Sequence, residues 1–253
     1  RADYDRTEER LQKLMRPYDK REVISLADTL CPFVCDNYAI AYVTLGSGEE
    51  MDFTTYRAIF SAQRQGIDGQ RFEAAKYRNG VVLIMELDTK RKAVKNAAAL
   101  CMYHLNLDTA NCCCGYSGEF ASMKDFDIAF QQAVDANRIA RLTQTQWCAY
   151  GELGFWSVIC ALSRSRTYMQ VYNAAIAKIS EYDKNYSSEL FVTLSTYVKY
   201  SGKVSQTAAE LHQHVNTIRY RLEKVKELIG GTDFYETVST LIHVHEYLES
   251  CKK

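Results

Sequence analysis

The chain has almost no proline: Pro17 and Pro32 are the only two in 253 residues, so nothing in it reads as a proline-rich spacer. It carries no net charge, with 31 Lys and Arg against 31 Asp and Glu. Any nucleic-acid footprint must therefore be a local patch. No apolar run reaches the roughly 20 residues that a bilayer-spanning helix needs, and no basic-then-apolar leader precedes a small-residue cleavage site. The chain opens on Arg1 instead of Met, which leads us to expect a piece of something longer. What is plentiful is apolar surface: 47% of residues are hydrophobic, enough for two modest domains or one large one. Nine cysteines (31, 35, 101, 112, 113, 114, 148, 160 and 251) form an odd, irregular set. Without a secretion signal they read as reduced thiols of a cytoplasmic protein.

Residues 5–30 have helical periodicity, with Leu11, Leu14 and Met15 on one side and then Val23, Leu26, Ala27 and Leu30, ended by Pro32. Tyr38 to Leu45 is rich in strand formers and is stopped by Gly46-Ser47-Gly48. A helix is expected over Phe53 to Arg64. Strands follow over Arg71 to Tyr77 and Val81 to Leu87, joined at Asn79-Gly80, a strong hairpin signal. Lys90 to Leu105 reads as helix, with Val94, Ala97, Ala98, Cys101 and Leu105 on one stripe, and Thr109 to Tyr116 as strand. Ser122 opens a further helix whose Phe126, Ala129, Phe130, Ala133 and Ala140 face inward. This order favours helices on a mostly antiparallel sheet. From Trp147 onward the sequence reads as almost entirely helical, over Phe155 to Leu162, Tyr168 to Ser180, Glu189 to Tyr200 and Asp233 to Glu249.

Between the last two lie two shorter helical stretches. Ser205 to Leu211 is one, with Ser205 as its expected N-cap. His212-Gln213-His214 is the turn, and Asn216 to Ile229 the second helix, closed by Gly230-Gly231. Ile218, Leu222, Val225 and Ile229 recur at helical spacing and must face a core, so Asn216, Arg219, Tyr220 and Lys224 face away. Ala208 and Ala209 permit a close crossing. Six Lys or Arg (199, 203, 219, 221, 224, 226) stand against three Glu (210, 223, 227) between Lys199 and Gly230. A tight turn followed by a helix with polar and basic residues at its start is what reading a major groove requires, while the preceding helix can rest its N-terminus on phosphates. On spacing alone the pattern also fits an ordinary helical hairpin buried in a core.

The segment from Val204 to Leu211, with Asn216-Thr217-Ile218-Arg219-Tyr220-Arg221-Leu222 and the run to Gly230, resembles the C-terminal helix-turn-helix of the PucR/CdaR regulator family. It departs from that family at Gln213, often aliphatic there, and at Val215, often basic. Gly115-Tyr116-Ser117 and Ser122 to Arg141 resemble the GGDEF-like domain that precedes the helix-turn-helix in these regulators, and Tyr150 to Gly154 the segment after it. The resemblance implies an α+β chain: a ferredoxin-like, nucleotide-cyclase-like domain over 36–150, after an N-terminal helical linker over 1–35, then an all-α domain over 151–253 holding the helix-turn-helix at about 205–229. Some members respond to purine or sugar-acid metabolites, and some are regulators of polyketide synthase expression.

A working diguanylate cyclase needs acidic side chains for Mg²⁺ and glycines beside the phosphates. The hairpin Tyr77 to Val82 has no acidic pair, and Leu45-Gly46-Ser47-Gly48 has no Asp. A catalytically inactive domain is expected, with no cofactor. No metal site is expected either: on a strand Cys113 points away from Cys112 and Cys114, Cys31 and Cys35 lack a second pair, and His243 and His245 diverge on a helix. Gly46-Ser47-Gly48-Glu49 lacks the Gly-Lys-Ser/Thr of a phosphate loop.

The reading is a sequence-specific DNA-binding transcriptional regulator, dimeric on double-stranded DNA, controlling metabolic or secondary-metabolite genes. Its expected contacts are Ser205, Gln206, Thr207, His214, Asn216, Thr217, Arg219, Tyr220, Arg221 and Lys224. An unidentified small-molecule effector is expected to act through a missing N-terminal domain, with no membrane role. The alternatives are a signalling or oligomerisation module that does not bind DNA and, against the missing acidic residues, an enzyme of the cyclase type.

Overall fold

The computed structural model describes residues 37–63, 72–87, 94–104 and 111–252. The helices expected over 5–30, Pro32, Cys31 and Cys35, and the expected element ends at Arg64, Arg71, Lys90, Leu105 and Thr109 lie outside the described residues. The chain divides into two compact units, one running to Ser157 and the other from Val158 to Lys252.

The first unit is built on strands β1 (Tyr38–Leu45), β2 (Phe72–Tyr77), β3 (Gly80–Glu86), β4 (Cys112–Tyr116) and β5 (Trp147–Ala149), in the spatial order β2-β3-β1-β4-β5. Helix α1 (Phe53–Gln63) follows β1, α2 (Val94–His104) follows β3, and α3 (Phe126–Leu142) follows β4. The pairs β2·β3, β3·β1 and β1·β4 are antiparallel, and β4·β5 is parallel. Through β4 this is the ferredoxin-like split β-α-β arrangement, extended by one strand.

Both sheet faces are covered. Ala39, Ala41, Val43, Leu83, Met85, Cys112 and Cys114 pack with Tyr56 and Ile59 of α1 and with Ala98 and Met102 of α2. The opposite face, with Tyr38, Ile40, Tyr42, Val82 and Ile84, packs on Phe126, Ala129, Phe130 and Ala133 of α3. Two-sided burial explains why β1 reads as a continuous apolar run with no alternation. A buried amide ties α3 to the sheet: Asn137 Nδ2 donates to the carbonyls of Tyr42 (3.0 Å) and Cys113 (2.8 Å).

Two expectations are corrected here. The stretch from Trp147 does not begin helical: Trp147–Ala149 pairs with Cys114–Tyr116, a strand of three residues, too short for periodicity to register. The hairpin turn is also one residue earlier than Asn79-Gly80. Tyr77 pairs with Gly80, so Arg78 (φ 50°) and Asn79 are its central residues. Gly80 belongs to β3, where a Cβ would stand 2.2 Å from the Val43 carbonyl oxygen; the glycine serves close strand approach more than turn geometry.

The second unit is helical. After α4 (Phe155–Arg164) come α5 (Arg166–Tyr186), α6 (Leu190–Lys199), α7 (Val204–Glu210), α8 (Val215–Ile229) and α9 (Phe234–Ser250). Ser165 caps α5 by accepting from the Tyr168 N–H, and Ser187, at φ 50°, ends it. Asp183 on the last turn of α5 accepts from the N–H groups of Leu190 (2.7 Å) and Phe191 (3.1 Å), satisfying donors that open α6. Ile179, Leu194, Ile218, Val225, Val238 and Val244 are buried, and α8 packs on α5, α6 and α7. Among the described residues no helix is long and apolar enough to cross a membrane.

Candidate nucleic-acid interface

Helix α7 spans 7 residues and α8 spans 15, with Leu211 to His214 between them. The turn is tight because backbone groups hold it: the N–H groups of His212 and Gln213 donate to the carbonyls of Ala209 (3.2 Å) and Ala208 (2.9 Å). His212 takes a positive φ of 50°. His214 then caps α8, its Nδ1 accepting from the Asn216 N–H at 3.2 Å. An Nδ1 acceptor leaves the ring proton on Nε2.

On α8, Ile218, Leu222 and Val225 are buried, as the spacing implied, and Ile229 is half-buried. Asn216, Arg219 and Tyr220 are exposed, Tyr220 to 65%. At 100° per residue the direction opposite the buried stripe passes through Asn216 and Tyr220, then through Glu223 and Glu227. The outward face is thus polar and neutral at the N-terminal end of α8 and acidic beyond it. Ser205 and Gln206 are exposed on the first turn of α7, where N–H groups are not used within the helix. Lys178 lies at the other end of α8, its Nζ 3.0 Å from the Leu228 carbonyl, a cation where the helix dipole favours one.

Several expected contacts stand elsewhere. Thr207 is fully buried and its hydroxyl donates to the Lys203 carbonyl at 3.0 Å; it braces α7 and presents nothing to solvent. Arg221 is likewise engaged within the unit. Its side chain is 14% exposed and pairs with Glu189 at 3.1 Å, and it donates to Thr193 Oγ1 at 3.1 Å, clamping α8 to the start of α6. Lys224 is half-buried, pairs with Glu227 at 2.7 Å and lies 5.5 Å from the centre of the Tyr182 ring. Thr217 is half-buried. Ser205 does not cap α7; Lys203 occupies that position, without a side-chain cap.

Charge follows the same division. Lys199 pairs with Glu210 at 2.9 Å, and the Tyr200 hydroxyl donates to the same carboxylate at 2.8 Å. These contacts hold Glu210 below the usual carboxylate range and raise Lys199. Among the described residues Lys203, Arg219 and Lys226 make no ion pair. Arg219 and Lys226 are seven residues apart, so they share one flank of α8. Sequence reasoning did not single out Lys226, although its i+7 spacing from Arg219 is legible.

The family model for the PucR C-terminal helix-turn-helix domain matches residues 190–233, from the start of α6 to just past α8. The DNA-binding transcriptional activator AdeR of Bacillus subtilis is 25% identical over 117 residues, 45% of this chain and 28% of that protein. The proline-responsive transcriptional activator PutR of Bacillus subtilis is 22% identical over 167 residues, 62% of this chain and 41% of that protein. The purine catabolism regulatory protein of Bacillus subtilis is 35% identical over 89 residues, 27% of this chain and 17% of that protein. The chain spans less than half the length of each of these relatives. The crystal structure of a regulator of polyketide synthase expression from Bifidobacterium adolescentis is 17% identical, with a TM-score of 0.38, covering 94% of this chain and 96% of that one. The part of the chain that is similar to PucR C-terminal helix-turn-helix domains is thus residues 190–233, the α6-α7-turn-α8 segment.

Proposed function

We propose that the chain is a PucR-type, sequence-specific DNA-binding regulator of transcription. The observation that carries this is the coincidence of the matched helix-turn-helix with a solvent-facing, neutral-to-basic N-terminal end on α8. Asn216 and Tyr220 read base edges in the major groove, with His214 and Thr217 beside them. Arg219 and Lys226 hold one phosphate strand. Ser205 and Gln206 present the start of α7 to the other. Lys224 contributes only after leaving Glu227. The protein works in the cytoplasm as a homodimer on two half-sites. A domain of about 36–150, GGDEF-like in descent, relays a small-molecule signal without catalysis to a helical domain of about 151–253. The absence of acidic side chains from Tyr77 to Val82 supports an inactive domain; incubation with GTP and Mg²⁺ should yield no cyclic dinucleotide.

The test is fluorescence anisotropy of the protein with DNA fragments from upstream of its own gene. One fragment should bind at least 10³-fold tighter than the others, as specific complexes do, and uniform weak binding to all would refute the reading. One observation favours a module that no longer binds DNA: Lys199, Arg221 and Lys224 are engaged by glutamates. That alternative predicts no shift even in low salt.

A further inference from the structure

A cavity of about 420 Å³ opens in the sheet unit where β1 ends, β4 begins and α3 finishes. This volume lies within the range of small-molecule sites. Leu45, Cys112 and Cys113 line its wall, Ser47, Gln144 and Thr145 add polar groups, and Arg141 supplies its charge. Among the described residues that line it there is no Asp or Glu. Arg141 Nε is buried, and among the described residues it has no hydrogen-bond partner. A buried donor left unsatisfied is rare and calls for an explanation.

The surroundings look built for this guanidinium. Gly48 has φ 80°, a conformation that favours glycine, and a Cβ there would push aside a terminal nitrogen of Arg141. The carbonyls of Ile139, Ala140 and Arg141 at the end of α3 accept from the N–H groups of Thr143, Thr145 and Gln144. Arg141 also acts on Cys113, opposing the rise in thiol pKa that burial causes.

We infer that this cavity binds a small-molecule oxyanion, a carboxylate or phosphate group on a compact polar body, held by the planar fork of Arg141. The planar guanidinium offers N–H donors in parallel, the geometry that two oxygens of either anion accept. Gln144, Thr145 and Ser47 lie where they can bond to the rest of the ligand. The site belongs to the sheet unit and the helix-turn-helix to the helical unit, so DNA binding without anion binding would sink this inference and leave the proposed function standing.

The full chain should be titrated with inorganic phosphate and separately with malonate, at ionic strength fixed with chloride, while thermal unfolding and arginine Nε–H nuclear magnetic resonances are followed. One of the two anions should give a saturable rise in Tm at millimolar concentration and should move one Nε–H resonance; which anion does so separates the phosphate from the carboxylate class. Arg141→Gln should weaken binding at least tenfold. Arg141→Lys, keeping the charge and losing the fork, should fall between. No saturable response to either anion beyond chloride, or equal binding by a folded Arg141→Gln variant, would overturn the inference. Should neither variant fold, the wild-type titration decides: it fails if no arginine Nε–H resonance shifts saturably.

Discussion

Arg219 and Arg221 are two residues apart in a segment where either could hold DNA, and the structure places them in opposite environments. Arg219 is exposed and makes no ion pair among the described residues. Replacing it with Ala should leave stability within about 0.5 kcal/mol, as for ordinary surface positions. If it neutralises one phosphate, the slope of log K against log salt should fall by about 0.9. The advantage of wild type over the variant should then shrink about 3.5-fold between 50 and 200 mM salt. Arg221 has the reverse profile. Its side chain is 14% exposed, it pairs with Glu189, itself 59% exposed, and it bonds to Thr193. Loss of these charge-assisted bonds, discounted for the wet partner, should cost about 1–2 kcal/mol of helical-unit stability, with the salt slope unchanged. Anisotropy from 50 to 200 mM salt and urea unfolding of each variant supply both numbers. A folded, equally stable Arg221→Ala protein whose slope dropped as far as that of Arg219→Ala would refute the division of labour.

Asn137→Ala removes donors from the Tyr42 and Cys113 carbonyls inside the sheet unit and should cost about 3 kcal/mol, read as a lower urea midpoint. Gly80→Ala puts a methyl 2.2 Å from the Val43 carbonyl oxygen and should destabilise the unit by more than about 2 kcal/mol, whereas a glycine needed only for a left-handed turn conformation would cost about 1 kcal/mol. Tyr172 donates to or accepts from His245 Nδ1 at 2.7 Å, and burial raises its pKa from 10.0 to about 12, with Glu249 and Tyr168 adding to the rise. Because the folded state holds this proton more tightly, the stability it confers is complete below pH 10 and is lost as pH climbs towards 12. Tyr172→Phe should flatten that decline in alkaline unfolding curves.

Some of this architecture was open to reading from the residues. Strand β1 was legible to its ends because Tyr38 to Leu45 is strand-prone and Gly46-Ser47-Gly48 cannot continue it. The α8 stripe was legible because Ile218, Leu222 and Val225 keep helical spacing beside solvent-facing polar residues. What escaped was whatever depends on a partner distant in sequence. β5 exists because β4 lies next to it, not because Trp147-Cys148-Ala149 prefers extended backbone. Gly80 looked like a turn glycine, since its neighbour across the sheet, Val43, is invisible to local pattern. Arg221 looked like a DNA contact because charge is visible in sequence, while Glu189, thirty-two residues earlier, is not visibly its partner. Thr207 looked polar and therefore available, yet its hydroxyl is spent on its own helix. The Arg141 cavity joins residues nearly one hundred positions apart, and no motif announces it.

The charge layout of α8 constrains how it can meet a duplex. A helix laid lengthwise in the major groove would carry Glu223 and Glu227 into it alongside Asn216 and Tyr220, where the negative potential of the duplex repels each carboxylate. Entry by the N-terminal end avoids this. It places Asn216 and Tyr220 at base edges and points the positive end of the helix dipole at the groove. The two glutamates are then left near its mouth. The same tilt lets Arg219 reach a phosphate flanking that entry, and about two turns further on Lys226 follows the same strand. Arg221 and Lys224, at the other flank, would be poorly placed for that strand even if unpaired, so their commitment to Glu189 and Glu227 takes nothing from end-on entry. A side-on mode would need those pairs broken and the acidic residues desolvated, and it is therefore the less favourable of the two.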